Sequence, residues 1–201
     1  HPAGDGPGAG SVVGAEIAWA LAQISADAGR TTEAVNAAEA GYDVATRTLD
    51  APHMRFNIAD AHVGALLLAG RVAEALDVAA RTRQQAADLP GEAQLLGAAV
   101  AGRAALGAGD LENASQLLQQ AIHGLSASHA GGWGYRYRAA LVTALAMRGS
   151  SDEAAAALSA LDKVRRGFRS LDFERSVARA WVAASQGAVS EAITIALAAA
   201  E

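Results

Sequence analysis

Residues able to do acid–base chemistry are scattered along this chain rather than clustered. Its five histidines are His1, His53, His62, His123 and His129. None falls into H-E-x-x-H or another recognised metal-ligand spacing, and no G-x-S-x-G elbow offers a serine nucleophile. There is no cysteine, so disulfides and thiolate metal sites are excluded. Paired carboxylates are the remaining route to hydrolysis, and Glu16, Asp27, Asp60 and Glu174 are the candidates. None has a histidine on its own helix face: His62 is two residues from Asp60, and such neighbours point apart. His53 and His129 read as solvated loop histidines, and His62 as a helix residue touching a neighbouring helix. No catalytic residue, metal ligand or cofactor is therefore assigned to this segment.

Two further clusters invite a chemical reading. Trp133, Tyr135, Arg136, Tyr137 and Arg138 form the densest aromatic–basic run. On a helix Trp133 and Tyr137 share a face, with Arg136 three residues after Trp133. That face is either a stacking site at the mouth of a groove or packing between repeats. Packing is favoured, because aromatics are only 4% of the chain and must serve its whole core. The basic run from Lys163 to Arg169 reads as a helix end, where cations suit the dipole, with an interdomain contact as the alternative. Gly4, Gly6, Gly8 and Gly10 resemble a phosphate-binding loop, but no strand precedes them. Residues 1–10 are read as a flexible linker or cloning remnant.

Such residues can act only if something positions them, and the positioning element is a repeat. G-x-x-x-[E/N]-A occurs five times: Gly29 to Glu33-Ala34, Gly70 to Glu74-Ala75, Gly109 to Asn113-Ala114, Gly149 to Glu153-Ala154 and Gly187 to Glu191-Ala192. The glycines are 41, 39, 40 and 38 residues apart. A period near 40 with one turn signal per period predicts a helical solenoid. Each repeat reads as helix A, a turn at the glycine, and helix B. The pairs are 12–28 with 31–48, 55–69 with 71–88, 92–108 with 110–127, 133–148 with 151–166, and 173–186 with 188–201. The repeat frames are 11–51, 52–90, 91–130, 131–170 and 171–201, forming one helical-repeat domain over 11–201. The glycine suits a left-handed helix end, and the alanine a close approach of A and B. Asp110 and Ser150 suit the cap of helix B, and Ser150 with Glu153 fits a capping box.

Composition agrees. Hydrophobic residues are 52% of the chain, many of them alanine, the best helix former. A net charge of −5 argues against direct nucleic acid contact, which needs a basic face. No apolar run approaches the ~20 residues that span a bilayer, and no signal pattern opens the chain, so a soluble cytoplasmic location is the expectation.

The glycine–alanine spacing resembles that of tetratricopeptide-type repeats, although their usual period is about 34 and HEAT-type repeats run longer, about 40–47. The expected fold is all-α, a tetratricopeptide-like α-solenoid of about five antiparallel helix pairs. The resemblance implies binding through helix A, at 13, 10, 6, 3 and 2 residues before the glycine. The polar and aromatic residues there are Glu16, Trp19, Gln23, Asp27, Asn57, Asp60, Arg103, Arg136, Thr143, Glu174 and Trp181. Carboxylates, amides and arginines beside aromatic rings would suit a polyhydroxylated or zwitterionic small molecule, or a peptide. An ordinary solvated face is the alternative.

A wider resemblance rests on RFNIADAHVGALLLAGRVAEAL (55–76), GRAALGAGDLENASQLL (102–118), GWGYRYRAALVTALAMRG (132–149) and FERSVARAWVAASQGAVSEA (173–192). These stretches look like the helical-repeat region of large actinobacterial LuxR-type regulators of the MalT kind. The resemblance implies an adjacent NTPase module that uses ATP and a helix-turn-helix elsewhere in the same chain. It also implies an inducer or protein partner in the groove. This segment has no G-x-x-x-x-G-K-[ST], and its single lysine is Lys163. The last helix, with Ile193, Ile195 and Leu197, is apolar on more than one side and is expected to continue into something or to pair. A free-standing peptide-binding or assembly scaffold is the second expectation.

Overall fold

The computed structural model describes residues 12–47, 53–89, 91–125, 133–164 and 171–200. Among the described residues there are ten helices and no strand. They are α1 (Val12–Asp27), α2 (Thr31–Arg47), α3 (Met54–Leu68), α4 (Val72–Ala87) and α5 (Ala93–Gly107), then α6 (Leu111–Gly124), α7 (Trp133–Met147), α8 (Ser151–Asp162), α9 (Asp172–Ser185) and α10 (Val189–Ala198). Odd-numbered helices are the A helices and even-numbered ones the B helices. Every start lies within one residue of the expectation.

Three ends, those of α6, α8 and α10, come three or four residues earlier than expected. After Gly124, Leu125 is extended, with φ −69° and ψ 135°, which takes the chain out of α6. At α8 the N–H groups of Lys163 and Val164 bond back three residues, to Ala160 and Leu161, and this tightening closes the helix. Arg165 to Arg169 lie outside the described residues.

The repeat glycine does the work expected of it. Gly29, Gly70, Gly109, Gly149 and Gly187 all have φ between 72° and 86°. At four turns the next residue returns its N–H to a carbonyl five residues earlier: Arg30 to Ser25, Arg71 to Leu66, Ser150 to Leu145 and Ala188 to Ala183. This closes orphan carbonyls at the end of helix A. A Cβ on Gly70 would meet open space, so substitution there tests the backbone alone. Gly70→Ala is expected to lower stability by about 1–2 kcal/mol in chemical denaturation, and Gly70→Asn by less.

One local expectation is corrected. Asp110 caps α6, accepting from the Asn113 N–H at 3.3 Å. Ser150 does not cap α8 and makes no capping box. Its hydroxyl accepts instead from Arg148, whose Nε and Nη2 lie 3.2 and 3.1 Å away. Arg148 also holds Glu112 at 2.6 Å and stands 3.6 Å from Glu153. The guanidinium thus takes both groups the box would have used.

The chain packs as two compact units, His1–Ala108 and Gly109–Glu201. In the first, each helix from α1 to α5 packs on the next, and the A helices also pack side by side, α1 on α3 and α3 on α5. The second follows the same rule: α6 to α10 pack in succession, and α7 packs on α9. Within each unit, contact of every helix with the next and of each A helix with the next A helix is the stacking that a solenoid requires. The repeat alanines sit at these contacts: Ala34, Ala75, Ala114 and Ala154 are fully buried and Ala192 nearly so. Gly41 marks the closest approach of α1 and α2, since a Cβ there would lie 2.6 Å from that of Ala18. In α10 Ile193 and Leu197 are exposed, as expected, while Ile195 is half-buried.

Candidate functional site

The A-helix residues named from sequence separate into exposed and buried sets. On α1, Glu16 and Asp27 are exposed and Gln23 is half-buried, its amide donating to Asp27 Oδ1 at 3.0 Å. Trp19 is half-buried against a core cluster that includes Ala15, Ala22, Ala38 and Ile58. Their spacing puts Glu16, Trp19, Gln23 and Asp27 along one face of the helix. On α9, Trp181 remains 40% exposed. Asn57 is half-buried and donates to Met54 Sδ at 3.6 Å, while Thr143 is buried with its hydroxyl on the Ala139 carbonyl at 3.0 Å.

The other four polar residues are tied together in pairs. Asp60 on α3 is fully buried, and Arg103 on α5 brings Nη1 to 2.6 Å from its Oδ1. These atoms are close enough for an ion pair without the alignment of a hydrogen bond. Nη1 also donates to the Asp60 carbonyl at 3.3 Å. The guanidinium runs over Gly64, where a Cβ would sit 3.3 Å from Nη2. In the second unit, Arg136 on α7 donates through Nε to Glu174 on α9 at 2.9 Å, and Arg136 is 7% exposed. Each pair joins one A helix to the next. Their charges are matched inside the stack, where breaking one partner is costly.

The aromatic run divides as its packing reading requires. Tyr135 and Tyr137 are each 2% exposed and belong to the core. Tyr137 therefore offers no ring to a groove mouth. Trp133 begins α7, and its side chain lies outside what is described.

A polar groove that the sequence reading did not single out lies on the B-helix side of the first unit. It runs between α2 and α4, with His62 of α3 as its floor. Two adjoining cavities of about 430 and 380 Å³ share Glu39, His62, Val78 and Arg81. Glu74 and Asp77 line the first and Asp43 the second. At the second, Tyr42 of α2 donates its hydroxyl to Gln85 of α4, tying the two walls together. His62 is 7% exposed, and its Nε2 is buried with no hydrogen-bond partner. Glu39 Oε1 stands 3.8 Å from it. No group of three or more potential metal ligands occurs among the described residues. The only sequence signal was a lone histidine in the apolar run FNIADAHVGALLL.

Burial holds the His62 pKa below its ordinary value of 6.5. Glu39 and Glu74 pull it up; Arg81 and Arg71 push it down. The groups facing the ring are Glu39 and Asp43 from α2, Arg71 before α4, and Glu74, Asp77 and Arg81 on α4. The folded imidazole resists a proton that the unfolded chain accepts near 6.5. Stability is therefore intact above that pH and declines as pH falls from it toward the lower folded value. The decline contributed by this group is at most about 1.4 kcal/mol per pH unit. Denaturation curves across this window are expected to show His62→Leu losing less stability with acidification than the parent.

Helix pairs stacked in register, with a left-handed glycine at each A–B turn and a buried alanine five residues on, define a tetratricopeptide-like α-solenoid. Two solved structures share this fold. Both are of tetratricopeptide-like, nearly identical repeats from a protein assigned to the kinesin light chains of Podosopora anserina. One carries a single substitution and is 21% identical, covering 92% of each chain with a TM-score of 0.58. The other is 22% identical, covering 90% of each chain with a TM-score of 0.57. At that identity the likeness establishes the fold. No family model and no curated protein matches the sequence. Among the described residues no helix is long and apolar enough to cross a membrane.

Proposed function

We propose that this chain is a non-catalytic protein-interaction domain that presents the partly exposed face of α1 to a peptide or protein. One observation carries the reading: Glu16, Trp19, Gln23 and Asp27 share a face of α1, and both carboxylates are exposed. An acidic, partly aromatic strip on a helix suits docking, because its side chains are positioned before binding. The other two candidate acid–base carboxylates, Asp60 and Glu174, are held by Arg103 and Arg136, which supports a scaffold over an enzyme. Peptides selected from a display library against the parent chain test the reading. Their affinity is expected to fall at least about tenfold in a Glu16→Lys/Asp27→Lys variant. Unchanged affinity, or no enrichment of any sequence, overturns it.

As a finer reading, the interaction domain is the sensor arm of a LuxR/MalT-type transcription regulator, with a small-molecule inducer as the alternative occupant of its groove. The stretches 55–76, 102–118, 132–149 and 173–192 support it. Reading the gene on both sides of these codons tests it. An upstream G-x-x-x-x-G-K-[ST] and a downstream helix-turn-helix are expected, and their absence overturns it. A cytoplasmic location belongs to the same proposal.

A further inference from the structure

The groove between α2 and α4 lies apart from the α1 face and has a chemistry of its own. Its floor is an imidazole nitrogen, nine-tenths buried and without a hydrogen-bond partner. A buried nitrogen of this kind costs free energy until something satisfies it. Four carboxylates, Glu39, Asp43, Glu74 and Asp77, line the two cavities against one cation, Arg81. Glu74 is bonded to Arg71 at 2.6 Å, so Glu39, Asp43 and Asp77 carry the excess charge. With its proton on Nδ1, the neutral imidazole offers Nε2 as its one acceptor, and together with the carboxylates it suits a cationic donor. The 3.8 Å between His62 Nε2 and Glu39 Oε1 is too long for a direct bond. One donor nitrogen making two bonds of about 2.9 Å closes that gap.

We propose that the α2–α4 groove is a second binding site, which accepts an arginine side chain of a partner protein. The guanidinium donates to His62 Nε2 and to Glu39 on the floor. Its remaining N–H groups face the carboxylates of the walls. A planar fork with five donors suits acceptors spread over two helices and a floor better than a point charge does. Each cavity is large enough for such a side chain. Arg81 at the shared edge disfavours a second cation and fixes the direction of approach. The site needs His62 neutral, so protonation of the ring repels the ligand.

N-acetyl-arginine methylamide is the probe, added to the whole chain in EDTA and followed by NMR of the His62 ring. The expected result is a saturable shift with millimolar affinity, absent with the N-acetyl-glutamate analogue. Affinity is expected to fall at least about tenfold in Glu39→Gln and in His62→Leu. It is also expected to fall as the pH is lowered below 6.5 toward the depressed value of the folded His62 ring. Glu39 is mostly solvent-exposed, so its variant reports binding even if His62→Leu perturbs the fold. The Glu16→Lys/Asp27→Lys variant should bind the probe unchanged, which separates this site from the α1 face. No saturable shift, which would leave water as the occupant, overturns the proposal. So do equal binding of the glutamate analogue and full affinity in Glu39→Gln.

Discussion

Arg103→Ala is expected to destabilise the first unit by about 3–5 kcal/mol, the range for removing one partner of a buried ion pair. Asp60 is fully buried, and the Arg103 guanidinium supplies the opposite charge across the α3–α5 contact. Without it, a carboxylate remains inside the stack with its solvation gone. Urea denaturation of the parent and variant gives the difference directly. The double replacement Asp60→Leu/Arg103→Met removes both charges at similar volume and should lie near the parent. A single variant within about 1 kcal/mol of the parent would mean the pair behaves as a surface bridge.

Gly41→Val should cost about 3 kcal/mol, at the upper end for overpacking a core. Its added Cβ would lie 2.6 Å from Ala18 Cβ and 3.3 Å from Ile58 Cδ1. Gly41→Ala tests the sign. In an open helix that change is stabilising by roughly 1 kcal/mol, because alanine loses less backbone freedom. Here the first methyl already meets α1, so the net effect is expected to be destabilising. Ala18→Gly should relieve the clash and restore most of the stability of Gly41→Ala. Thermal melts of the three variants check this. A stabilised Gly41→Ala would show that α1 and α2 separate at little cost.

The helix starts, the five glycine turns and the buried alanines were legible in the sequence because each is fixed locally. A left-handed turn selects glycine whatever packs around it, and helix propensity acts residue by residue. The polar A-helix set was legible as a set of residues, but its use was not. Asp60 with Arg103 and Arg136 with Glu174 looked like an open polar face, and they bridge successive A helices instead. Their partners lie 43 and 38 residues apart, and only the stacking angle of the helices brings them into contact. The Ser150 cap failed for the same reason on a smaller scale, since Arg148 reaches the hydroxyl first.

The sequence by itself determined the repeat, its period and the type of every helix, since these follow from backbone preferences and hydrophobic spacing. Tertiary structure alone decided which charges neutralise one another and where a polar atom is left unsatisfied. Glu39, His62 and Arg81 come from three helices and share no spacing. Their groove exists only because α2 and α4 stand apart over α3, leaving one buried nitrogen without a partner.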